Sequence, residues 1–240
     1  MQRRSWPVLG ALMLGSLLLA GCRIEAGTGV SHPSPTLGLD GTWFGAMEDA
    51  DGTLFTLEWR IQGERLTREV IAGQSSGVRG DLWRVGPGQL EGLLSDGTWV
   101  RLLISGDREH ALLVTEFFEF AVLTREARAL PRFLFADLDG RWRGRQAWED
   151  WFDGELVRAT AFCAAGDCEI VADDGVITDL VFNRLDPDYG LFRGGFADSL
   201  GESGLAGALV SADFRFLGTY SCPIDYLFPE DCTFGAFTFD

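Results

Sequence analysis

The stretch Leu39-Asp40-Gly41-Thr42-Trp43-Phe44-Gly45 returns, 99 residues on, as Leu138-Asp139-Gly140-Arg141-Trp142-Arg143-Gly144. Two further landmarks keep step with it. Asp51-Gly52 answers to Asp153-Gly154, and Ile61-Gln62-Gly63-Glu64-Arg65-Leu66 answers to Cys163-Ala164-Ala165-Gly166-Asp167-Cys168, both at an offset of 102. A three-residue insertion near Trp148 accounts for the change of offset. Three landmarks in register mark a duplication, so the chain reads as two homologous units of about a hundred residues each. Their expected bounds are 37–130 and 131–240.

Inside each unit the pattern is that of strands. Asp-Gly turns at Asp51-Gly52, Asp96-Gly97, Asp153-Gly154 and Asp174-Gly175 separate short runs rich in Val, Leu, Phe, Thr and Trp. Over residues 54–61, Phe55, Leu57 and Trp59 fall on one side and Thr56, Glu58 and Arg60 on the other, the alternation of a half-buried strand. Residues 98–105, 110–118, 120–126 and 234–239 are read the same way. No stretch holds a helical period, and only residues 126–135, between the units, have room for a short helical turn. The expected fold is all-β: two tandem small antiparallel β-barrels of up-and-down type, with β-sandwiches as the alternative.

The Gly-x-Trp that opens each unit, at Trp43 and Trp142, resembles that of the calycins, the superfamily of lipocalins and avidin-like proteins. The resemblance covers residues 41–125. It implies that the Trp closes one barrel end and packs against an Arg from the last strand, a place that Arg125 fills in the first unit. The second unit departs from the pattern, since it ends Phe237-Thr238-Phe239-Asp240 without an Arg. If the barrels hold a small apolar ligand, the inward-pointing Phe55, Leu57 and Trp59 are the residues expected to line its cavity. At about a hundred residues per barrel, the competing expectation is an interior filled by its own side chains.

The N-terminus reads as an address. Arg3 and Arg4 precede an apolar run over residues 9–20, shorter than the roughly 20 residues that span a bilayer. Its end, Leu19-Ala20-Gly21-Cys22, resembles the bacterial lipoprotein signal. That resemblance implies cleavage of a signal peptide at 1–21 and acylation of Cys22, a membrane anchor of the kind that several acyl chains make stable. Arg23, where Asp would retain such a protein in the inner membrane, points to the outer membrane. Residues 22–36, with Pro33, Pro35 and few bulky apolar residues, read as a flexible tether.

Four cysteines remain for an oxidising compartment: Cys163, Cys168, Cys222 and Cys232. The short gaps favour local pairing, Cys163 with Cys168 and Cys222 with Cys232. Zinc is the other use of such a set, but the spacing is not Cys-x-x-Cys and no His lies nearby.

Composition narrows the function. Of 240 residues, 46% are hydrophobic and 23% charged, which excludes a disordered or collagenous chain. The net charge of −16 repels phosphate backbones, so nucleic acid is not the expected partner. The acidity is uneven, −6 over residues 37–137 and −12 over 138–240, which reads first as a solvated acidic face, with a first unit nearer an anionic membrane as the other reading. All 20 basic residues are Arg, which removes lysine chemistry. Of two His, His32 lies in the tether and His110 follows Arg108-Glu109 at an expected turn, the position of a solvated residue. No nucleophile elbow, zinc-protease or phosphate-loop motif is present. Acidic turns at Asp186-Pro187-Asp188 and Asp173-Asp174-Gly175 are the candidate calcium ligands, Asp186 and Asp188 first; no other cofactor is expected. The expectation is a non-enzymatic, lipid-anchored envelope protein that binds a small apolar ligand or an envelope partner. A structural or adhesion module with filled barrels is the alternative, and a carboxylate-based hydrolase the third reading.

Overall fold

A computed structural model of the chain describes residues 38–147, 156–223 and 232–240. The first unit contains β1 (Gly41–Glu48), β2 (Leu54–Gln62), β3 (Arg65–Ile71), the two-residue β4 (Gln74–Ser75), β5 (Gly80–Gly86), β6 (Gln89–Leu94), β7 (Trp99–Ile104), β8 (His110–Thr115) and β9 (Phe120–Arg125). β4 is a spur on β3; β3 also pairs with β5, and β9 returns to β1, so eight antiparallel strands close a barrel. The second unit contains β10 (Gly140–Ala147), β11 (Leu156–Ala164), β12 (Asp167–Ala172), β13 (Ile177–Asp186), β14 (Leu191–Asp198), β15 (Ser203–Val210), β16 (Phe216–Pro223) and β17 (Thr233–Phe239). These close a second barrel through the pairing of β10 with β17. The fold is two tandem up-and-down antiparallel barrels. Among the described residues a single 3₁₀ turn at Phe135–Asp137 links them, starting at the last residue of the segment where the sequence left room for one.

The repeated heptad has the same structural use in both barrels. Trp43 is 1% exposed and donates its indole N–H to the Leu39 carbonyl at 2.9 Å; Trp142 is 0% exposed and donates to Leu138 at 3.0 Å. Asp40 Oδ1 accepts from the Gly63 amide in the β2–β3 hairpin, and Asp139 Oδ1 accepts from Ala165 in the matching hairpin. A Cβ at Gly45 would lie 1.8 Å from the Val122 carbonyl oxygen, and one at Gly144 1.9 Å from that of Ala236, so only glycine fits where the first strand crosses the last. The offsets hold as well: β1 and β10 begin 99 residues apart, β2 and β11 102.

Buried side chains fall into three clusters. One fills the first barrel, with Trp43, Leu57, Trp59, Leu82 and Leu102 among its members; a second fills the other barrel around Trp142, Leu180, Phe182, Phe192 and Phe237. The third joins the barrels. Leu112, Val114, Phe120 and Val122 on the outside of β8 and β9 meet Leu191, Phe216, Tyr220 and Phe234 on the outside of β14, β16 and β17. Gly218 is the socket of this contact: a Cβ there would lie 2.6 Å from Val122 Cγ2 and 2.9 Å from Leu112 Cδ1. All six residues of β8 and five of the six in β9 are therefore buried, on both faces. The expectation of half-buried strands over 110–118 and 120–126 is corrected accordingly: their outward residues are apolar because the other barrel covers them.

Candidate functional site

Polar groups cross the interface in two places beside the apolar contact. His110, expected in solvent, is 1% exposed; its Nε2 lies 2.9 Å from Asp213 Oδ2 and its ring stacks on Phe216 with centroids 5.4 Å apart. The residue opens β8 instead of sitting in a turn, and the second barrel covers it. Burial alone would raise the Asp213 pKa. Hydrogen bonds from the Ser211 hydroxyl and His110, the charge of His110 and the Arg215 amide bring it below the ordinary 3.8. At the second crossing, Glu48 Oε1 on β1 accepts from Arg193 Nη2 at 2.7 Å, and its Oε2 accepts from the Tyr220 hydroxyl at 3.0 Å. Burial works against the charge of Arg193, but the Glu48 carboxylate more than offsets it and holds the Arg193 pKa above its ordinary value.

Where the barrels diverge they leave a cavity of about 550 Å³. Its walls come from the β5–β6 and β7–β8 turns of one barrel and from β10, β11, β16 and β17 of the other. The floor is apolar, from Leu39, Leu103, Ile104, Leu156, Phe216 and Ala236. Five arginines rim it, Arg84, Arg108, Arg143, Arg145 and Arg158, and no Asp or Glu is among its described lining residues. Arg143 reaches Asp240 at 3.1 Å and Arg145 donates to the Pro87 carbonyl at 2.9 Å, from one barrel to the other. The side chains of Arg84, Arg108 and Arg158 make no hydrogen bond or ion pair among the described residues.

This arginine-lined cavity is not among the sites expected from the sequence. The signal lay in the second heptad, where Arg141, Arg143 and Arg145 alternate with Trp142 and Gly144; the matching positions of the first unit hold Thr42, Phe44 and Ala46. With Trp142 facing inward, period-two alternation puts all three arginines outside.

The residues expected to matter have these places. Leu57 and Trp59 are each 1% exposed within the first barrel's packed interior, with Phe55 half-buried against it, and the Trp59 indole donates to Glu69 at 2.9 Å. Arg125 pairs across from Trp43, and its guanidinium donates to the carbonyls of Gly38 and Asp40, fastening the chain that enters β1. In the second barrel Phe239 takes that place, edge-on to Trp142 at 5.0 Å. Cys163 is bonded to Cys168 and Cys222 to Cys232. Asp186 Oδ1 accepts from the Asp188 amide in a local turn, and no group of three or more His, Cys, Asp or Glu among the described residues could hold a metal ion. Cys22 and the tether at 22–36 lie outside the described residues.

The chain matches no protein-family model and no curated protein. Among solved structures, a protein of unknown function from the DUF3598 family of Nostoc punctiforme aligns with 84% of this chain and 96% of its own, at 14% identity and a TM-score of 0.32.

Proposed function

We propose that this chain is a non-enzymatic binding protein of the bacterial envelope, held at the outer membrane by acyl chains on Cys22, with its ligand site between the two barrels. One observation carries the reading: each barrel interior is packed with its own aromatic and aliphatic side chains, while a cavity of about 550 Å³ opens between them. That volume is within the roughly 300–1,000 Å³ of small-molecule sites. The rim is arginine, a standing cation whose planar fork of donors holds anions. Two disulfides suit an exported chain, and Leu19-Ala20-Gly21-Cys22 supports the anchor.

The test is fractionation of cells making the full chain or its Cys22→Ser variant, followed by native mass spectrometry of the membrane-extracted protein. The expected result is an acylated, membrane-bound parent carrying a small molecule, and a variant released from the membrane. A membrane-bound Cys22→Ser protein without acyl mass overturns the anchor; a parent that never carries a small molecule overturns the binding role.

A second reading, a structural or adhesion module, draws on the filled barrels and on Trp83 and Trp99. These rings meet edge-to-face at 5.6 Å on the outer surface of the first barrel, where Trp99 is 40% exposed. Retention of envelope proteins by the parent, lost on Trp83→Ala, is the result that favours it.

A further inference from the structure

We infer that the cavity between the barrels takes an organic anion, a phosphate or carboxylate head on an apolar body, with the head on the arginine rim and the body on the apolar floor at Ile104, Leu156 and Ala236. The inference rests on the inter-barrel cavity being the ligand site and adds the chemistry of what enters it.

The charge distribution is the first argument. The chain carries 36 acidic and 20 basic residues, yet five arginines and no described carboxylate line this one cavity. Among the described residues only Arg143 of the five is paired with a carboxylate, that of Asp240, which leaves the rim with an excess of cations. The excess cation attracts an anion against the net field of the molecule.

The register is the second. Arg145 and Arg158 are direct cross-strand partners on β10 and β11, both side chains facing out of the barrel. Like charges directly opposite one another destabilise a sheet. Arg145 is held by the Pro87 carbonyl, a neutral acceptor that leaves the repulsion uncancelled, and Arg158 has no partner among the described residues. An oxyanion between the two guanidinium groups turns the repulsion into two charge-assisted contacts, and the planar fork of arginine suits phosphate and carboxylate. Arg84 and Arg108 approach from the first barrel, so the anion draws on both barrels.

The floor is the third. A site for a bare inorganic anion has no use for Leu103, Ile104, Leu156, Phe216 and Ala236 beneath the arginines. Leu103 and Phe216 are already buried, while Ile104, Leu156 and Ala236 are only partly covered and offer the apolar surface that a ligand with an apolar body covers. The ligand is soluble rather than a bilayer headgroup, because its apolar part lies on a floor made of protein.

The test titrates the full chain, in neutral detergent, with 1-naphthyl phosphate, inorganic phosphate and 1-naphthol, followed by naphthyl fluorescence anisotropy and calorimetry. Naphthyl phosphate should bind one per chain, at least tenfold more tightly than either fragment, and weaken as salt rises. Arg84→Gln with Arg158→Gln should weaken it at least tenfold. Arg60→Gln with Arg68→Gln should not; that pair is also cross-strand but stands on the exposed face of β2 and β3, away from the cavity. Inorganic phosphate binding as tightly as naphthyl phosphate overturns the inference, as does indifference to the Arg84/Arg158 change. Naphthol binding as tightly as naphthyl phosphate also overturns it while leaving a cavity ligand in place; if neither binds, the cavity reading falls with it. Competition by anionic phospholipid added to the micelles overturns the soluble-ligand assignment.

Discussion

At the scale of single residues, the repeated heptad is a set of interlocking requirements rather than a loose signature. The indole of Trp43 fills the barrel end and its N–H satisfies the Leu39 carbonyl, and Trp142 repeats this with Leu138. Phenylalanine at either place keeps much of the apolar volume but leaves a buried carbonyl unsatisfied and a small void. An unsatisfied buried polar group costs about 1–3 kcal/mol, so Trp43→Phe and Trp142→Phe should each cost about 2 kcal/mol in urea denaturation. Because the donor geometry is the same in both barrels, the two losses should agree within about 1 kcal/mol, with the void term the main source of difference. A cost confined to one barrel contradicts the equivalence of the two motifs. These residues were readable in the sequence because local geometry dictates them: the glycines permit strand crossing, the Asp binds a hairpin amide, and neither depends on what lies outside the barrel.

At the scale of elements, the disulfide of the second barrel occupies a place that the first fills by packing. Ile61 and Leu66 face one another across the β2–β3 hairpin, and Cys163 and Cys168 do so across β11 and β12. All four are buried. Closing so short a loop contributes roughly 2 kcal/mol by restricting the unfolded chain. An apolar pair in the same place recovers much of that through burial, at about 25 cal/mol per Å². Cys163→Ile with Cys168→Leu should therefore stay within about 1 kcal/mol of the parent, whereas Cys163→Ala with Cys168→Ala should lose about 2–4 kcal/mol, measured by thermal unfolding. Equal losses in both double variants show that the covalent bond, not the cross-strand pair, is what the second barrel requires. Turns and pairings of this kind were legible from Asp-Gly spacing and from the 102-residue offset. The outer surface of β8 was not. His110-Ala111-Leu112-Leu113-Val114-Thr115 is apolar on both faces, and alternation cannot distinguish a strand covered by a neighbouring barrel from one buried in its own. His110 was misread for the same reason, since its partner Asp213 is 103 residues away and belongs to the other unit.

At the scale of the whole molecule, two interior-filled barrels act as one body because a third apolar cluster and the paired groups beside it join them. The Asp213 pKa is lowered in the folded chain, so its contribution is present at pH values above the ordinary 3.8 and is lost as pH falls through the depressed value. Stability should fall below about pH 4 with a slope that Asp213→Asn reduces, read from urea midpoints between pH 3 and 6. An unchanged slope removes the His110–Asp213 contact from the acid response. The apolar part of the joint offers a sharper test. Gly218 lies where Val122, Leu112 and Phe120 of the first barrel press against β16, and a Cβ there would meet three of their atoms at 2.6–3.1 Å. Leucine at this position cannot fit by a rotamer change of one neighbour. It must push the barrels apart, while each barrel keeps its own core because Gly218 faces outward. Overpacking of this kind costs about 1–3 kcal/mol, and here the cost falls on the joint alone. The parent should unfold in a single cooperative step, followed by tryptophan fluorescence, and Gly218→Leu should unfold in two, with the arginine-lined cavity lost before either barrel melts. A single transition shifted to lower denaturant means that strain at Gly218 spreads into a barrel core, and that cohesion between the barrels comes from elsewhere than this apolar contact.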